Sequence, residues 1–168
     1  MADDIYDYLA TFIKQLGINK ILDVGAGEGT LGLYLREYEF DGHYFGIDKD
    51  PAMCAKMELQ GLKCEEGDLK WLDIRKNTWS AVVVKDVLEH LDTPAVLTSA
   101  ILTANRYFIL VTEALLIDSL SPAPKDQYFC IDELLNVART CNFRLHDYHK
   151  LGKHSVLVFM RKGKRKRA

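Results

Sequence analysis

The chain has 168 residues, 48% hydrophobic and 27% charged, with a formal net charge of −2, enough for one sizeable core and too few for two ordinary domains. No apolar run approaches the roughly 20 residues that cross a bilayer, and the acidic start MADDIYDYLATF lacks the basic-then-apolar pattern of a secretory signal, so the expectation is a cytoplasmic protein with no membrane partner. Arg161, Lys162, Lys164, Arg165, Lys166 and Arg167 stand in the last eight positions and leave residues 1–160 at a net −8; residues 161–168 read as a basic tail on a single domain of residues 1–160, either a solubilising tail or an electrostatic arm for nucleic acid.

Ile5, Leu9, Phe12, Ile13 and Leu16 recur at helical spacing ahead of Gly17, which predicts an amphipathic first helix. KILDVG reads as a buried strand and TLGLYLREYE as the helix after a glycine-rich turn. GHYFGID is a second strand, PAMCAKMELQG a helix opened by Pro51, and LKCEEGD a short third strand. SAVVVKD, continuous in valine, is a strand covered on both faces. TPAVLTSAILTAN is the next helix and RYFILVTE the fifth strand. Residues 114–129, with two prolines and a serine cluster, read as a long loop of the kind that often carries function. IDELLNVARTCN is the last helix, and FRLHDYHKL and HSVLVFMRK form a hairpin around Gly152 and Lys153. Alternating strands and helices predict a doubly wound, mostly parallel α/β sheet. Cys54, Cys64, Cys130 and Cys141 are scattered without a Cys-x-x-Cys pair, so all four are expected as reduced, mostly buried thiols.

The chemistry concentrates at strand ends. Gly25, Gly27 and Gly29 alternate directly after the first strand, where glycine permits positive φ and close approach of a ligand. A dinucleotide site is the competitor, because Gly27-Glu28-Gly29-Thr30-Leu31-Gly32 matches Gly-x-Gly-x-x-Gly. Started at Gly25, however, the pattern has Thr30 in its third glycine position, and Glu28 sets a negative charge beside a pyrophosphate. A cationic sulfonium ligand tolerates Asp23 and Glu28 better. Asp48 ends the second strand, where a carboxylate accepts from both ribose hydroxyls, and Asp68 ends the third, where one accepts from an adenine amino group.

ILDVGAGEG, FGIDKDPAM, EEGDL and VVVKDVLEHLDTP together resemble the class I S-adenosylmethionine-dependent methyltransferases, across residues 18 to 160. The resemblance implies a Rossmann-like, seven-stranded sheet with an antiparallel last strand and helices on both faces, S-adenosylmethionine as cofactor, and methyl transfer as the activity. It sets Asp23, Gly25 and Gly27 beside the methionine part, Asp48 on the ribose, Met53 near the adenine face, Asp68 on the adenine amino group, and Asp86 with Val87 by the transferred methyl. Ala26, Lys49 and Leu69 complete the expected cofactor-binding set. His90, and second Asp86, are the candidate catalytic bases.

The acceptor is less legible. No Asp-Pro-Pro-Tyr or Asn-Pro-Pro-Tyr follows the fourth strand, no Pro-Cys occurs, and Glu113 rather than lysine ends the fifth strand, which disfavours methylases of exocyclic amino groups, of cytosine C5 and of the cap-type 2′-hydroxyl. Asp86-x-x-Glu89-His90 resembles the metal cluster of the small-RNA terminal 2′-O-methyltransferases, but Gln127 stands where their second histidine is expected, so no metal is assigned. Two acceptors stay open: a nucleic acid such as RNA, bound through the basic tail, and a small molecule held under the loop 114–129 by Tyr128 and Phe129. A non-catalytic nucleotide-binding or partner-binding module is the third reading, since fold does not imply function.

Overall fold

The computed structural model describes residues 3–69, 78–113, 115–116 and 129–163. Helix α1 (Asp3–Gln15) buries Ile5, Leu9 and Ile13 on one stripe, and the chain leaves it through Gly17 at φ +62. Strand β1 (Lys20–Val24), helix α2 (Thr30–Glu37), strand β2 (His43–Asp48), helix α3 (Pro51–Leu59) and strands β3 (Cys64–Glu66) and β4 (Trp79–Lys85) follow. Asp50 caps α3 by accepting the Ala52 N–H at 2.9 Å, and Pro51 takes a first-turn position where a missing N–H leaves no bond unmade.

The stretch read as one helix after Thr93 divides into a 3₁₀ turn, Pro94–Leu97, and a short helix α4, Thr98–Thr103. Three residues per turn align positions i and i+3, which buries Pro94 and Leu97 together. Strand β5 (Ala104–Thr112) is followed by β6 (Leu115–Leu116) and β7 (Phe129–Cys130), which pair in parallel. They draw together the two ends of the stretch read as a loop; residues 117–128, with Gln127 and Tyr128, lie outside the described residues. Helix α5 (Ile131–Thr140) and strands β8 (Phe143–Leu151) and β9 (His154–Arg161) complete the chain.

The main sheet has seven strands in the order β3-β2-β1-β4-β5-β9-β8. β1 to β5 are mutually parallel and β9 is antiparallel to both of its neighbours, which is the expected doubly wound fold. Period-two alternation sends Ile21, Ala81, Val83, Ile109 and Val158 into a core shared with α1 and α2. Their neighbours Leu22, Val82, Val84, Phe108 and Leu157 enter a second core, closed by Ile101 from α4 and by Leu134 and Ala138 from α5. Strand order reverses between β1 and β4, and a crevice opens there at the carboxyl ends of the strands.

One expectation is corrected. Cys54 and Cys64 form a disulfide, whereas Cys130 and Cys141 are free. Helix α3 folds back on β3 and brings the two Cα atoms to 5.2 Å, inside the range a disulfide requires; a spacing of ten residues does not announce that approach. Cys54→Ser is therefore expected to cost about 2–3 kcal/mol in urea denaturation without reductant. The same comparison in dithiothreitol should show most of that difference gone.

Candidate functional site

The crevice begins with the turn after β1. Gly25 and Ala26 both donate backbone N–H groups to the Ile47 carbonyl, at 2.8 and 3.1 Å, and Gly27 donates to Asp48 Oδ2 at 2.8 Å. Gly25 has φ +74, and a Cβ there would stand 2.3 Å from Val87 Cγ2, so no other residue fits without displacing Val87. Asp48 Oδ1 accepts the Asp50 N–H at 2.9 Å. Each carboxylate oxygen keeps a further lone pair for a ligand.

Two adjoining cavities, of about 190 and 230 Å³, share Gly25 and Asp86. Neither alone reaches the roughly 300 Å³ at the lower end of ligand pockets, whereas together they exceed it. The first is lined by Asp23, Ala26, Gly27, Glu28 and Thr30, with Tyr6 from α1 and Lys85 from β4. The second is lined by Asp48, Lys49, Gly67, Asp68, Leu69, Val87, His90 and Leu91. Of the residues expected from the sequence to bind the cofactor, Met53 is the one outside both linings; it lies half-buried on the first turn of α3.

Asp23 is 3% exposed and accepts the Tyr44 hydroxyl at 2.7 Å. Burial pushes its carboxyl up to about 6, against the opposing pull of the Tyr44 bond and the nearby Lys85 ammonium. Glu28 is ion-paired with Lys56. Asp86 closes β4 with φ +51, a region where a residue with a side chain is strained by roughly 1–3 kcal/mol, and it is held there by donating its N–H to Val111 O at 3.0 Å and by an ion pair with Lys85.

The segment Asp86-x-x-Glu89-His90 does not act as one cluster. Leu88–His90 is a 3₁₀ turn; His90 is exposed at the second cavity, while Glu89 Oε1 accepts from Thr112 Oγ1 at 2.5 Å and from the Glu113 N–H at 2.8 Å, bracing the end of β5. His154, at the start of β9, is the imidazole against Asp86: its Nε2 lies 3.5 Å from Asp86 Oδ1 and 3.2 Å from Glu113 Oε1. Lys153 pairs with Glu113 at 2.6 Å. Tyr6, Lys85 and His154 were not singled out from the sequence. Lys85 alone carried a signal there, as a charge closing a valine run; His154 is delivered by the antiparallel pairing of β9 with β5, which joins residues far apart in the chain.

Residues 21–105 match the family model described as a methyltransferase domain. A search of curated proteins finds no match. Among solved structures, magnesium protoporphyrin IX methyltransferase from Synechocystis with bound S-adenosylhomocysteine is 16% identical, with a TM-score of 0.78 over 95% of this chain and 83% of the other. A TehB-like S-adenosylmethionine-dependent methyltransferase from Corynebacterium glutamicum is 19% identical, with a TM-score of 0.70 over 91% and 86%. The [4+2]-cyclase SpnF is 12% identical, with a TM-score of 0.73 over 92% and 80%. These likenesses are likenesses of fold.

The buried Asp23 makes a pH prediction with a definite sign. Its folded pKa of about 6 lies above its unfolded value of 3.8, so the folded chain binds more protons between them and stability falls as pH rises from about 4 to 6. Above 6 the cost is fully present, at most on the order of 3 kcal/mol. Asp23→Asn, whose amide oxygen still accepts from Tyr44, should flatten the pH 4–6 slope in urea denaturation; an unchanged slope would show that Asp23 titrates normally.

Proposed function

The chain belongs to the methyltransferase-domain family, with the class I Rossmann-like fold and S-adenosylmethionine as its cofactor, and from that premise we propose that it transfers the methyl group to a small-molecule acceptor presented at Asp86. The carrying observation is the continuity of the crevice through Gly25 and Asp86. A nucleoside with an amino-acid arm is a ligand of that shape, and the donor set suits it. Asp48 would hold the ribose hydroxyls and Asp68 the adenine amino group, with Leu69 and Val87 against the base, Lys49 at the rim and Met53 behind it. Asp23, Gly25, Ala26 and Gly27 would face the methionine arm. A pyrophosphate in the same place would meet the carboxylates of Asp23, Glu28 and Asp86, which disfavours a dinucleotide.

When bound, the cofactor supplies an electrophilic methyl on a good leaving group. The protein's task is then to orient the acceptor in line and to exclude water. Where the acceptor is an oxygen or nitrogen that loses a proton, Asp86 is the group we place beside it, with His154 and Glu113 next in contact. His90, the sequence's first choice, is proposed as a rim residue of the nucleoside half.

The nucleic-acid reading rests on the basic tail, and two features speak against it. Arg161 donates to Ala104 O and Asn105 O, at 2.6 and 3.0 Å, so part of that charge fastens β9 to the start of β5. The chain therefore leaves the sheet at the end opposite the crevice. Residues 164–168 lie outside the described residues. Removing residues 164–168 is expected to leave methyl transfer unchanged; RNA binding at low salt that disappears with this deletion would overturn the small-molecule reading.

Asp48→Ala is expected to weaken S-adenosylmethionine binding about 10- to 150-fold in calorimetry, the 1.5–3 kcal/mol of hydrogen bonds to a charged group. Unchanged affinity, or binding of NAD in its place, would move the ribose elsewhere.

A further inference from the structure

β4 is a buried central strand whose last residue is charged. Its pleat sends Ala81 and Val83 to the face covered by α1 and α2, and Lys85, two residues on, continues along that face. Asp23 follows the same alternation on β1, opposite Val83. Lys85 thus stands beside Asp23 with a side chain only 15% exposed, and its ammonium lies 5.0 Å from the centre of the Tyr6 ring. Tyr6 is itself stacked on Tyr34 at 5.5 Å. The ammonium is fixed at the wall of the first cavity, where it is the sole cation among the described lining residues, facing Asp23 and Asp86.

A lysine so placed loses hydration that must be offset by anionic partners. Asp86 is one, yet Asp86 is itself 40% exposed to the crevice. Of the three carboxylates that line this cavity, Glu28 is already paired with Lys56; the remaining two, Asp23 and Asp86, around one ammonium are the mirror image of a ligand end with two cations and one anion. S-adenosylmethionine has that end: a sulfonium, an α-ammonium and an α-carboxylate.

We infer that Lys85, held by Tyr6, recognises the α-carboxylate of the methionine arm and makes the crevice selective for a zwitterionic amino-acid end. The inference rests on the reading of the crevice as an S-adenosylmethionine site. Asp23 and Asp86 face the cationic part of the arm, and Lys85 supplies the charge-assisted hydrogen bond to its carboxylate.

The test compares two neutral-sulfur ligands by calorimetry: S-adenosylhomocysteine and its decarboxylated analogue, which keeps the nucleoside, thioether and ammonium and lacks only the carboxylate. The full chain should prefer S-adenosylhomocysteine by about tenfold or more, as expected for one charge-assisted bond. Lys85→Met should erase that preference by weakening S-adenosylhomocysteine alone, and Lys85→Arg should restore most of it. Equal weakening of both ligands by Lys85→Met would mean that Lys85 acts by holding Asp86, and no change in either would mean that it is a bystander; each overturns the inference. If the unaltered chain bound neither ligand, the cofactor reading would fall first.

Discussion

The shared acceptance of two N–H groups by one carbonyl organises this protein's working edge. By donating to Ile47 O, Gly25 and Ala26 carry the chain from the end of β1 over the end of β2, and Gly27 then docks on the Asp48 carboxylate. The turn cannot move without breaking backbone bonds to the neighbouring strand. Because β1, β2 and β4 are in parallel register, with Val24 level with Ile47 and Val84, the residues that follow each strand emerge at one height. A polar set drawn from distant segments becomes a single lining through register alone.

The two faces of the sheet give that lining two characters. The α1–α2 face supplies Asp23 with Tyr44, and Lys85 with Tyr6, so charge is buried there beside aromatic rings. Tyr44 shows the consequence: burial, with Asp23 next to it, pushes its phenol well above the usual range, so it remains a hydrogen-bond donor. On the other side of Gly25 the lining is half apolar, with Val24, Leu69, Val87 and Leu91 around the carboxylates of Asp48 and Asp68. A flat, partly apolar group with hydrogen-bonding edges suits the second half, and a charged arm suits the first.

Most of this was legible in the sequence because it is local. A glycine-rich turn, the aspartates at the end of β2 and just after β3 and the valine run of β4 each announce themselves within a few residues, and strand and helix alternation orders them. Features made by packing were silent. The Cys54–Cys64 bond depends on how far α3 tilts back onto β3, and His154 reaches Asp86 only because β9 runs antiparallel beside β5. Glu89 resembled one member of a metal cluster in the sequence, and only its bonds to Thr112 and Glu113 give it a structural occupation. The split of the helix after Thr93 follows from which of its residues are buried, a tertiary choice that overrides local pattern.

Asp86 is where the local and the packed halves meet. It directly follows a strand whose register with β1 is set by the sheet, yet its neighbours come from elsewhere: Glu113 just after β5 and His154 at the start of β9. Its backbone occupies a region that glycine would enter freely, and glycine there would leave the crevice without a carboxylate between its two halves. The strain is borne because the Val111 carbonyl fixes the N–H and Lys85 fixes the side chain. The fold that surrounds it is shared with methyltransferases and with a cyclase alike, so the scaffold cannot by itself decide the reaction. On the proposed reading, that decision falls to the groups packed against Asp86, His154 and Glu113 first among them.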